Sequence, residues 1–535
     1  MRKSFSFRAA ANRSGSLVAL PFAVVLFSGL FFSGTGLSGQ ALAEVAQPAN
    51  PKPVDSEKAS YSRQILHRLA DGVVRFRLSN GLRVLFYRRA QAPVFSGHVW
   101  VKVGSVNEQP GITGVSHMLE HMAFKGTKTI GTKDYEKEKE LLQRIEQLLD
   151  LTNDGEIKLP EAEQKEFDKI RAELELIWEN NEFARIYQQR GAVGLNAATG
   201  KDYTYYQVSL PSVSFELWCL VESDRLLNPV FRQFYKERAV VGEERRSSVE
   251  DNPQGKLYET LLATAFALHP NRIPTIGYEK DIQGLRLSDL NKLYAEYYRP
   301  DNMVVSLVGD LDPEQVKSQL EKYFGRLAKP AGRLEQVRIV EPEQKGERKA
   351  IVEYDAEPQF MMGYHKPVFP NPDDLKFSAL HSVLGEGRSS LFHRELVLKK
   401  QLATGVYTTE APGELFPNLF LVGGSPRKGV SIQQLKEEIQ GIFDRIKREG
   451  VKEEELLAAK KRMKVDLVNL IDSNDGLAET LGHAELVWGD WEKLFEMYDG
   501  MLSTTNEDIK RIANTYLRVN NRTVVELVKT AKSTK

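Results

Sequence analysis

The chain has 535 residues, of which 41% are hydrophobic, and its 73 Lys and Arg residues balance its 73 Asp and Glu residues. This balance gives no electrostatic reason to expect nucleic acid or an anionic membrane surface as a partner. Because Cys219 is the one cysteine, no intramolecular disulfide can form, and stability must come from a hydrophobic core. A chain of this length and composition can build two or more globular domains.

Residues 1–43 have the pattern of a secretory signal peptide. Four basic residues precede an apolar run at 17–32, and Ala41-Leu42-Ala43 offers small residues at a cleavage site. The alternative is an uncleaved membrane anchor, which the shortness of the run and its interruption by Pro21 disfavour. Residues 44–64 contain three prolines and are predicted to be a disordered lead-in. We therefore expect export to the periplasm with cleavage after Ala43.

Residues 73–103 show the alternation of paired β-strands. Residues 73–78 and 82–87 flank the turn Ser79-Asn80-Gly81, which is typical of a hairpin, and a third strand is predicted at 95–103. These strands lead into a helical stretch that begins after Gly114. We therefore expect an α+β fold in which helices pack on one side of a mainly antiparallel sheet.

The helical stretch contains His117-Met118-Leu119-Glu120-His121. Residues four positions apart lie on the same face of a helix, so both imidazoles can point at one metal ion while Glu120 stands beside them. This order is the inverse of His-Glu-x-x-His and is known as the inverzincin motif. The pattern predicts a zinc site in which Glu120 is not a ligand and can act as a general base.

Residues 134–190 are more strongly charged than their surroundings, and their apolar residues recur at helical spacing. These apolar residues are Leu141, Leu142, Ile145, Leu148 and Leu149. Residues 152–155 and Pro160 interrupt the pattern, so the segment is predicted to be an insertion of two helices that form a hairpin. Its simplest role is that of a solvated structural element; docking of a partner and narrowing of access to the metal are the alternatives.

A second candidate helix carries carboxylates in the stretch Glu237-Arg238-Ala239-Val240-Val241-Gly242-Glu243-Glu244. Seven residues make about two helical turns, so Glu237 and Glu244 share a face. Two imidazoles need a third protein ligand to hold catalytic zinc. This helix is the candidate source of that ligand.

An internal repeat indicates two homologous domains. Residues 289–305 recur at 508–524, and in each copy a helix ends and a strand begins. The coinciding pairs are Asp289/Asp508, Tyr297/Tyr516, Arg299/Arg518, Asn302/Asn521 and Val305/Val524. Residues 331–348 form a polar linker, so 65–330 is predicted to be a zinc-binding domain and 349–535 its C-terminal homologue.

These motifs resemble those of the pitrilysin/insulinase family of zinc peptidases. Residues 117–127 carry the resemblance, together with Glu237-Arg238-x-x-Val241-x-x-Glu244. It implies that Glu244 is the third zinc ligand, with Glu243 as the alternative after a slip in register. It further implies that Glu237 orients a ligand histidine from outside the metal's own coordination shell.

The family resemblance extends to the strand segment Asn196-Ala197-Ala198-Thr199. It implies that an extended peptide adds to this edge by backbone hydrogen bonds, with Asn196 and Ala197 in contact with substrate. An ordinary strand and turn is the alternative interpretation.

The C-terminal half departs from the family pattern. Family members carry an Arg there and, seven residues later, a Tyr, both of which assist at the zinc site. Aligned on Leu391 and Leu396, these positions are Val397 and Thr404 in this chain. Some family members divide the groups between a zinc-bearing subunit and a homologous partner, and the two subunits close like a clam shell. The resemblance implies that this chain is the zinc-bearing half of such a heterodimer, with a homodimer as the alternative.

The expected function is that of a zinc metalloendopeptidase subunit with one Zn²⁺ per chain, cleaving extended peptides or small unfolded polypeptides. Help with the oxyanion is expected from the partner subunit. A non-catalytic binding or assembly subunit with a structural zinc site and a dedicated precursor-processing peptidase are the alternatives. A structural site has no need of Glu120, which favours the enzyme. Cobalt or manganese would fit the same ligands.

Overall fold

The computed structural model describes residues 69–149 and 159–530. The predicted signal peptide, the lead-in at 44–64 and the interruption at 152–155 lie outside these residues. The strands are β1 (Val73–Arg77), β2 (Arg83–Arg88), β3 (Val94–Val101), β4 (Val193–Thr199), β5 (Thr204–Pro211), β6 (Met303–Gly309), β7 (Arg348–Tyr354), β8 (Gln359–Lys366), β9 (Ala403–Ala411), β10 (Asn418–Pro426) and β11 (Arg522–Lys529).

Helices surround these strands. The α-helices are α1 (Val115–Met122), α2 (Tyr135–Leu149), α3 (Glu161–Ile177), α4 (Glu182–Gln188), α5 (Phe215–Leu227), α6 (Phe234–Arg245), α7 (Pro253–Ala265), α8 (Glu279–Gly284), α9 (Leu287–Tyr297), α10 (Pro313–Phe324), α11 (Pro372–Leu384), α12 (Ile432–Glu449), α13 (Glu453–Asp472), α14 (Asn474–Val487), α15 (Lys493–Leu502) and α16 (Asn506–Tyr516). Within the described ranges, no helix is long and apolar enough to cross a membrane.

Each half of the chain contributes one mixed, mostly antiparallel sheet. The first has the strand order β1-β2-β6-β3-β5-β4 and the second β7-β11-β8-β10-β9. In the first sheet β2 and β6 are parallel, and in the second β7 and β11 are parallel. When β1 is left out and the strands of each half are numbered in chain order, the two sheets have the same strand order. The predicted hairpin is present as β1 and β2.

The internal repeat has the same local structure in both copies. Helix α9 begins at Leu287 and α16 at Asn506, and both helices are followed by a short 3-10 turn and a strand. The amide of Asn302 donates to the carbonyl oxygens of Lys102 and Tyr297, and the amide of Asn521 donates to those of His365 and Tyr516. The two coinciding asparagines, Asn302 and Asn521, therefore link helix and sheet by equivalent hydrogen bonds in the two halves.

Both faces of each sheet are covered because the halves exchange helices. Helix α7, from the first half, packs on β7, β8 and β11 of the second sheet. Helix α14, from the second half, packs on β3 and β6 of the first sheet, where it meets Trp100 and Val304. The expectation of helices on one side of the sheet was therefore wrong. The second face of β3 and β6 carries Ser96, His98 and Ser306 beside Trp100 and Val304, and this mixed pattern does not mark the face as buried.

The segment predicted to be an insertion contains α2 and α3, which pack through the apolar residues that their spacing indicated, with Ile145, Leu148 and Leu149 buried. A third, short helix, α4, follows them. It is separate because the backbone is extended at Trp178 and left-handed at Asn181, with a φ of 59°.

Candidate metal centre

Two residues that precede helix α1, Gly114 and Glu108, determine where the helix begins. Gly114 has a φ of 88°, and a Cβ atom there would lie 2.5 Å from the carbonyl oxygen of Ile276. The buried carboxylate of Glu108 accepts hydrogen bonds from the backbone N–H groups of Gly114 and Ser116, each at 2.8 Å. Burial raises the pKa of Glu108 to about 7. Together these contacts set the first turn of the helix that carries His117, Glu120 and His121.

The side chains of His117, His121 and Glu244 converge. The Nε2 atom of His117 lies 3.8 Å from one carboxylate oxygen of Glu244, and Nε2 of His121 lies 3.4 Å from the other. The two imidazole rings are 4.7 Å apart between centroids. Helix α1 supplies the histidines from one face and α6 supplies the glutamate, so the cluster forms where these two helices pack.

The neighbouring Glu243 does not face the histidines. Its side chain is 67% exposed and pairs with Arg246 on the same helix at 2.5 Å. The structure therefore brings Glu244, and not Glu243, to the imidazoles.

Glu237 lies on the same face of α6, two turns earlier, and contacts His121. Its carboxylate is 3.0 Å from Nδ1 of His121 and 2.5 Å from Nζ of Lys125. Burial opposes ionisation of Glu237, but the hydrogen bonds from His121 and Lys125 outweigh it and lower the pKa of the carboxyl to about 2. Burial likewise opposes protonation of His121, but its bonds to Glu237 and Glu244 raise its pKa to about 10. The carboxylates thus favour positive charge at this position.

These residues fit a zinc ion. Zinc bonds of about 2.0–2.2 Å in a tetrahedral arrangement place ligand atoms about 3.3 Å apart, and the ligand atoms of His117, His121 and Glu244 lie within 4.8 Å of one another. Nδ1 of His117 is buried without a hydrogen-bond partner among the described residues. Two imidazoles and a carboxylate are a donor set that zinc takes. In the part of the chain that the structure describes, no other group of three such residues comes this close together.

Glu120 is held by a residue that the sequence analysis did not single out. The hydroxyl of Thr199, at the end of β4, donates to Oε2 of Glu120 at 2.7 Å. Thr199 belongs to the same segment as Asn196 and Ala197, so the motif contained it, but nothing in the sequence pairs it with Glu120. Lys125 was missed in the same way, although it follows the motif by four residues.

Asn196 and Ala197 lie on β4, which is the edge strand of the first sheet. Helix α1 packs against this strand, so the edge runs beside the metal cluster. Asn196 is exposed and Ala197 is half-buried. One side of β4 pairs with β5, and no other strand of the described residues pairs with its outer side.

Val397 and Thr404, the residues aligned with the family's Arg and Tyr, lie in the second half of the chain. Val397 is buried in the core of the second half, and Thr404 is exposed on β9 and donates to the carbonyl oxygen of Ser425. The nearest arginine in sequence, Arg394, is paired with Glu455.

Two homologous α+β halves and a His-His-Glu cluster next to a further glutamate define a protein of the zinc-peptidase class. A model of the insulinase family, peptidase family M16, matches residues 83–145, and a model of the peptidase M16 inactive domain matches residues 284–463. The zinc protease PqqE of Helicobacter pylori is 30% identical over 459 residues, which cover 84% of this chain and 91% of that protein. The chain therefore belongs to peptidase family M16.

Further relatives agree with this assignment. An uncharacterised zinc protease of Bacillus subtilis, YmxG, is 24% identical over 446 residues, covering 82% of this chain and 95% of the relative. The crystal structure of a protease from Helicobacter pylori superposes with a TM-score of 0.73 at 27% identity, covering 85% of this chain and 99% of that one. The periplasmic protease PqqL of Escherichia coli shares the fold, with a TM-score of 0.64 at 18% identity over 86% of this chain and 48% of that one.

Proposed function

We propose that this chain is the zinc-bearing subunit of a metalloendopeptidase that cleaves extended peptides or small unfolded polypeptides. The observation that carries this proposal is the convergence of His117, His121 and Glu244 beside Glu120, next to an edge strand without a partner on its outer side among the described residues. A metal site that only stabilised the fold would need neither the glutamate nor the open edge.

His117, His121 and Glu244 would hold one zinc ion, which supplies a Lewis acid that polarises the scissile carbonyl and makes water nucleophilic at neutral pH. Glu120 accepts a proton from the attacking water at a carboxylate oxygen and returns it to the leaving amine. Thr199 fixes the orientation of that carboxylate through its hydrogen bond to Oε2. Glu237 holds His121 through Nδ1, so that Nε2 faces Glu244.

The substrate is proposed to lie along β4. An extended peptide that adds to an edge strand forms backbone hydrogen bonds, which demand little of its sequence. Asn196 and Ala197 are proposed to contact such a backbone, and their position on this edge beside α1 supports the proposal. This mode of binding favours extended or unfolded polypeptides over folded proteins.

A homologous partner subunit is proposed to complete the site. Val397 is buried and Thr404 is a small hydroxyl residue on β9, so neither can supply the Arg and Tyr of the family pattern. The tetrahedral oxyanion needs hydrogen-bond donors in addition to the metal. A heterodimer whose second subunit carries the pair provides them, whereas a homodimer of this chain would have the same substitutions in both copies.

The proposed location is the periplasm, because residues 1–43 have the pattern of a cleaved export signal. A non-catalytic role is the second candidate, favoured by the match of residues 284–463 to the inactive-domain model and by the missing Arg and Tyr. The presence of Glu120, held in place by Thr199, favours catalysis.

Hydrolysis of a pool of quenched peptides tests the proposal. The mature, zinc-loaded chain is assayed alone and mixed with a co-encoded homologue that carries the Arg and Tyr. We expect cleavage by the mixture, little by the single chain, and loss of cleavage with Glu120→Gln. Full cleavage by the single chain would contradict the divided site, and the absence of cleavage from both samples would favour the non-catalytic role.

A further inference from the structure

The helical insertion is joined to the rest of the protein by a buried ion pair. Glu138 of α2, whose side chain is 0% exposed, accepts two hydrogen bonds from Arg232, whose side chain is 3% exposed, at 2.7 and 3.1 Å. The indole N–H of Trp178 donates to the same carboxylate at 2.7 Å. A charged residue is almost never fully buried unless it is paired, so Glu138 and Arg232 depend on each other in the folded protein.

The other N–H groups of Arg232 hold the loop that follows α1. They donate to the carbonyl oxygens of Lys125, Thr127 and Ile130 at 2.6, 2.7 and 2.8 Å. With the two bonds to Glu138, all five N–H groups of the guanidinium are used. The arginine therefore fixes three points of one short loop at once.

Two glycines make room for this guanidinium. A Cβ atom on Gly126 would lie 2.6 Å from Nη1 of Arg232, and one on Gly131 would lie 2.7 Å from it. Both glycines have positive φ, 101° and 91°. The loop is thus shaped around the arginine, since a side chain at either position would displace it.

This loop leads directly to the metal cluster. Lys125, whose carbonyl oxygen is held by Arg232, places its ammonium 2.5 Å from Glu237, which in turn contacts Nδ1 of His121. Arg232 itself lies two residues before α6, the helix that carries Glu237 and Glu244. One arginine thus connects the end of the histidine helix to the start of the glutamate helix.

The insertion makes further contacts at the same place. Asn180 accepts a hydrogen bond from the side chain of Gln233 at 2.6 Å, and Glu146 accepts one from the hydroxyl of Tyr235 at 2.9 Å. Glu182 accepts the backbone N–H of Gly131 at 2.6 Å. All three contacts lie at the start of α6 or on the loop after α1, so the insertion is fastened to the two segments that bear the ligands.

We infer that the insertion braces the metal centre, with Glu138 and Arg232 as positioning residues that set Lys125, Glu237 and His121 for the metal ion. This inference rests on the proposed function, because it assumes that the cluster binds zinc. This role differs from the two alternatives given for the insertion, docking of a partner and narrowing of access to the metal, and it depends on neither. Partners outside the coordination shell commonly tune metal affinity by about 10- to 100-fold.

The test is the dissociation constant for zinc, measured by competition with a chromophoric chelator on the full mature chain. Glu138→Gln keeps the size of the side chain and an acceptor for Trp178 but removes the charge that faces Arg232. We expect it to weaken zinc binding by about 10-fold or more. The matched control is Glu166→Gln, which breaks the exposed pair with Arg144 between α2 and α3 of the insertion and should leave zinc affinity unchanged.

A double-mutant cycle separates bracing from general destabilisation. Lys125→Met removes the ammonium that contacts Glu237. After this change, Glu138→Gln should reduce zinc affinity by a smaller factor than it does in the wild-type chain. Additive losses would overturn the inference, as would a wild-type constant for Glu138→Gln. If that variant does not fold, Glu138→Asp, which keeps the charge on a shorter side chain, replaces it, and unchanged affinity would again refute the brace. A wild-type chain that binds no zinc would instead refute the proposed function.

Discussion

Replacing Thr199 with valine removes one hydroxyl from the site and keeps the shape of the side chain. The hydroxyl donates to Glu120 at 2.7 Å from a buried position at the end of β4. A hydrogen bond to a charged group contributes about 1.5–3 kcal/mol, which corresponds to about 10- to 150-fold in rate at about 1.36 kcal/mol per tenfold. We therefore expect Thr199→Val to lower kcat by about one to two orders of magnitude.

The assay is steady-state peptide hydrolysis by the assembled enzyme, with Thr199→Ser as the control that keeps the hydroxyl. KM and zinc affinity should stay near their wild-type values in both variants, because the hydroxyl contacts Glu120 and not the metal ligands. Serine should restore most of kcat. An unchanged kcat in the folded valine variant would refute the positioning of Glu120 by Thr199, and a loss confined to KM would indicate contact with substrate instead.

Three further predictions follow from the contacts of other residues. Glu237→Gln should weaken zinc binding by about 10- to 100-fold in chelator competition, because the partner of His121 loses its charge; unchanged affinity would contradict its role. The pKa of Glu108 is raised from 4.5 to about 7, so the folded protein keeps a proton that the unfolded chain has lost. The free energy of unfolding should therefore fall by up to about 3 kcal/mol between pH 4.5 and 7, and in urea titrations Glu108→Gln should lack this fall. Leu261→Ala, in the helix that crosses to the second sheet, should lower the free energy of unfolding by about 2–5 kcal/mol in urea titrations. A separate early unfolding transition of one half would contradict the interlocked fold.

The parts of the site that the sequence predicts are those that local periodicity encodes. A spacing of four on a helix puts His117 and His121 on one face, and a spacing of seven does the same for Glu237 and Glu244. The choice of Glu244 over Glu243 came from the family pattern, and the fold places that residue against the imidazoles.

Contacts between distant segments could not be predicted in this way. Glu138 is one acidic residue in a strongly charged helix, and Arg232 lies 94 positions away in a stretch without a motif. The insertion was interpreted as a solvated element because it is strongly charged and amphipathic, and periodicity cannot mark the one charged residue that is fully buried. The exchange of α7 and α14 was missed for a similar reason, since the residues of a strand face do not reveal which distant segment covers it.

The zinc content of the purified mature chain, and of variants at the adjacent positions 243 and 244, tests whether Glu244 is the third zinc ligand. Glu244→Gln removes the carboxylate that faces both imidazoles, whereas Glu243→Gln changes its exposed neighbour, which pairs only with Arg246 in the described contacts. We expect one zinc per chain in the wild type and in Glu243→Gln, and loss of zinc in Glu244→Gln. Retention of zinc by Glu244→Gln, or its loss from Glu243→Gln alone, would show that Glu244 is not the third zinc ligand.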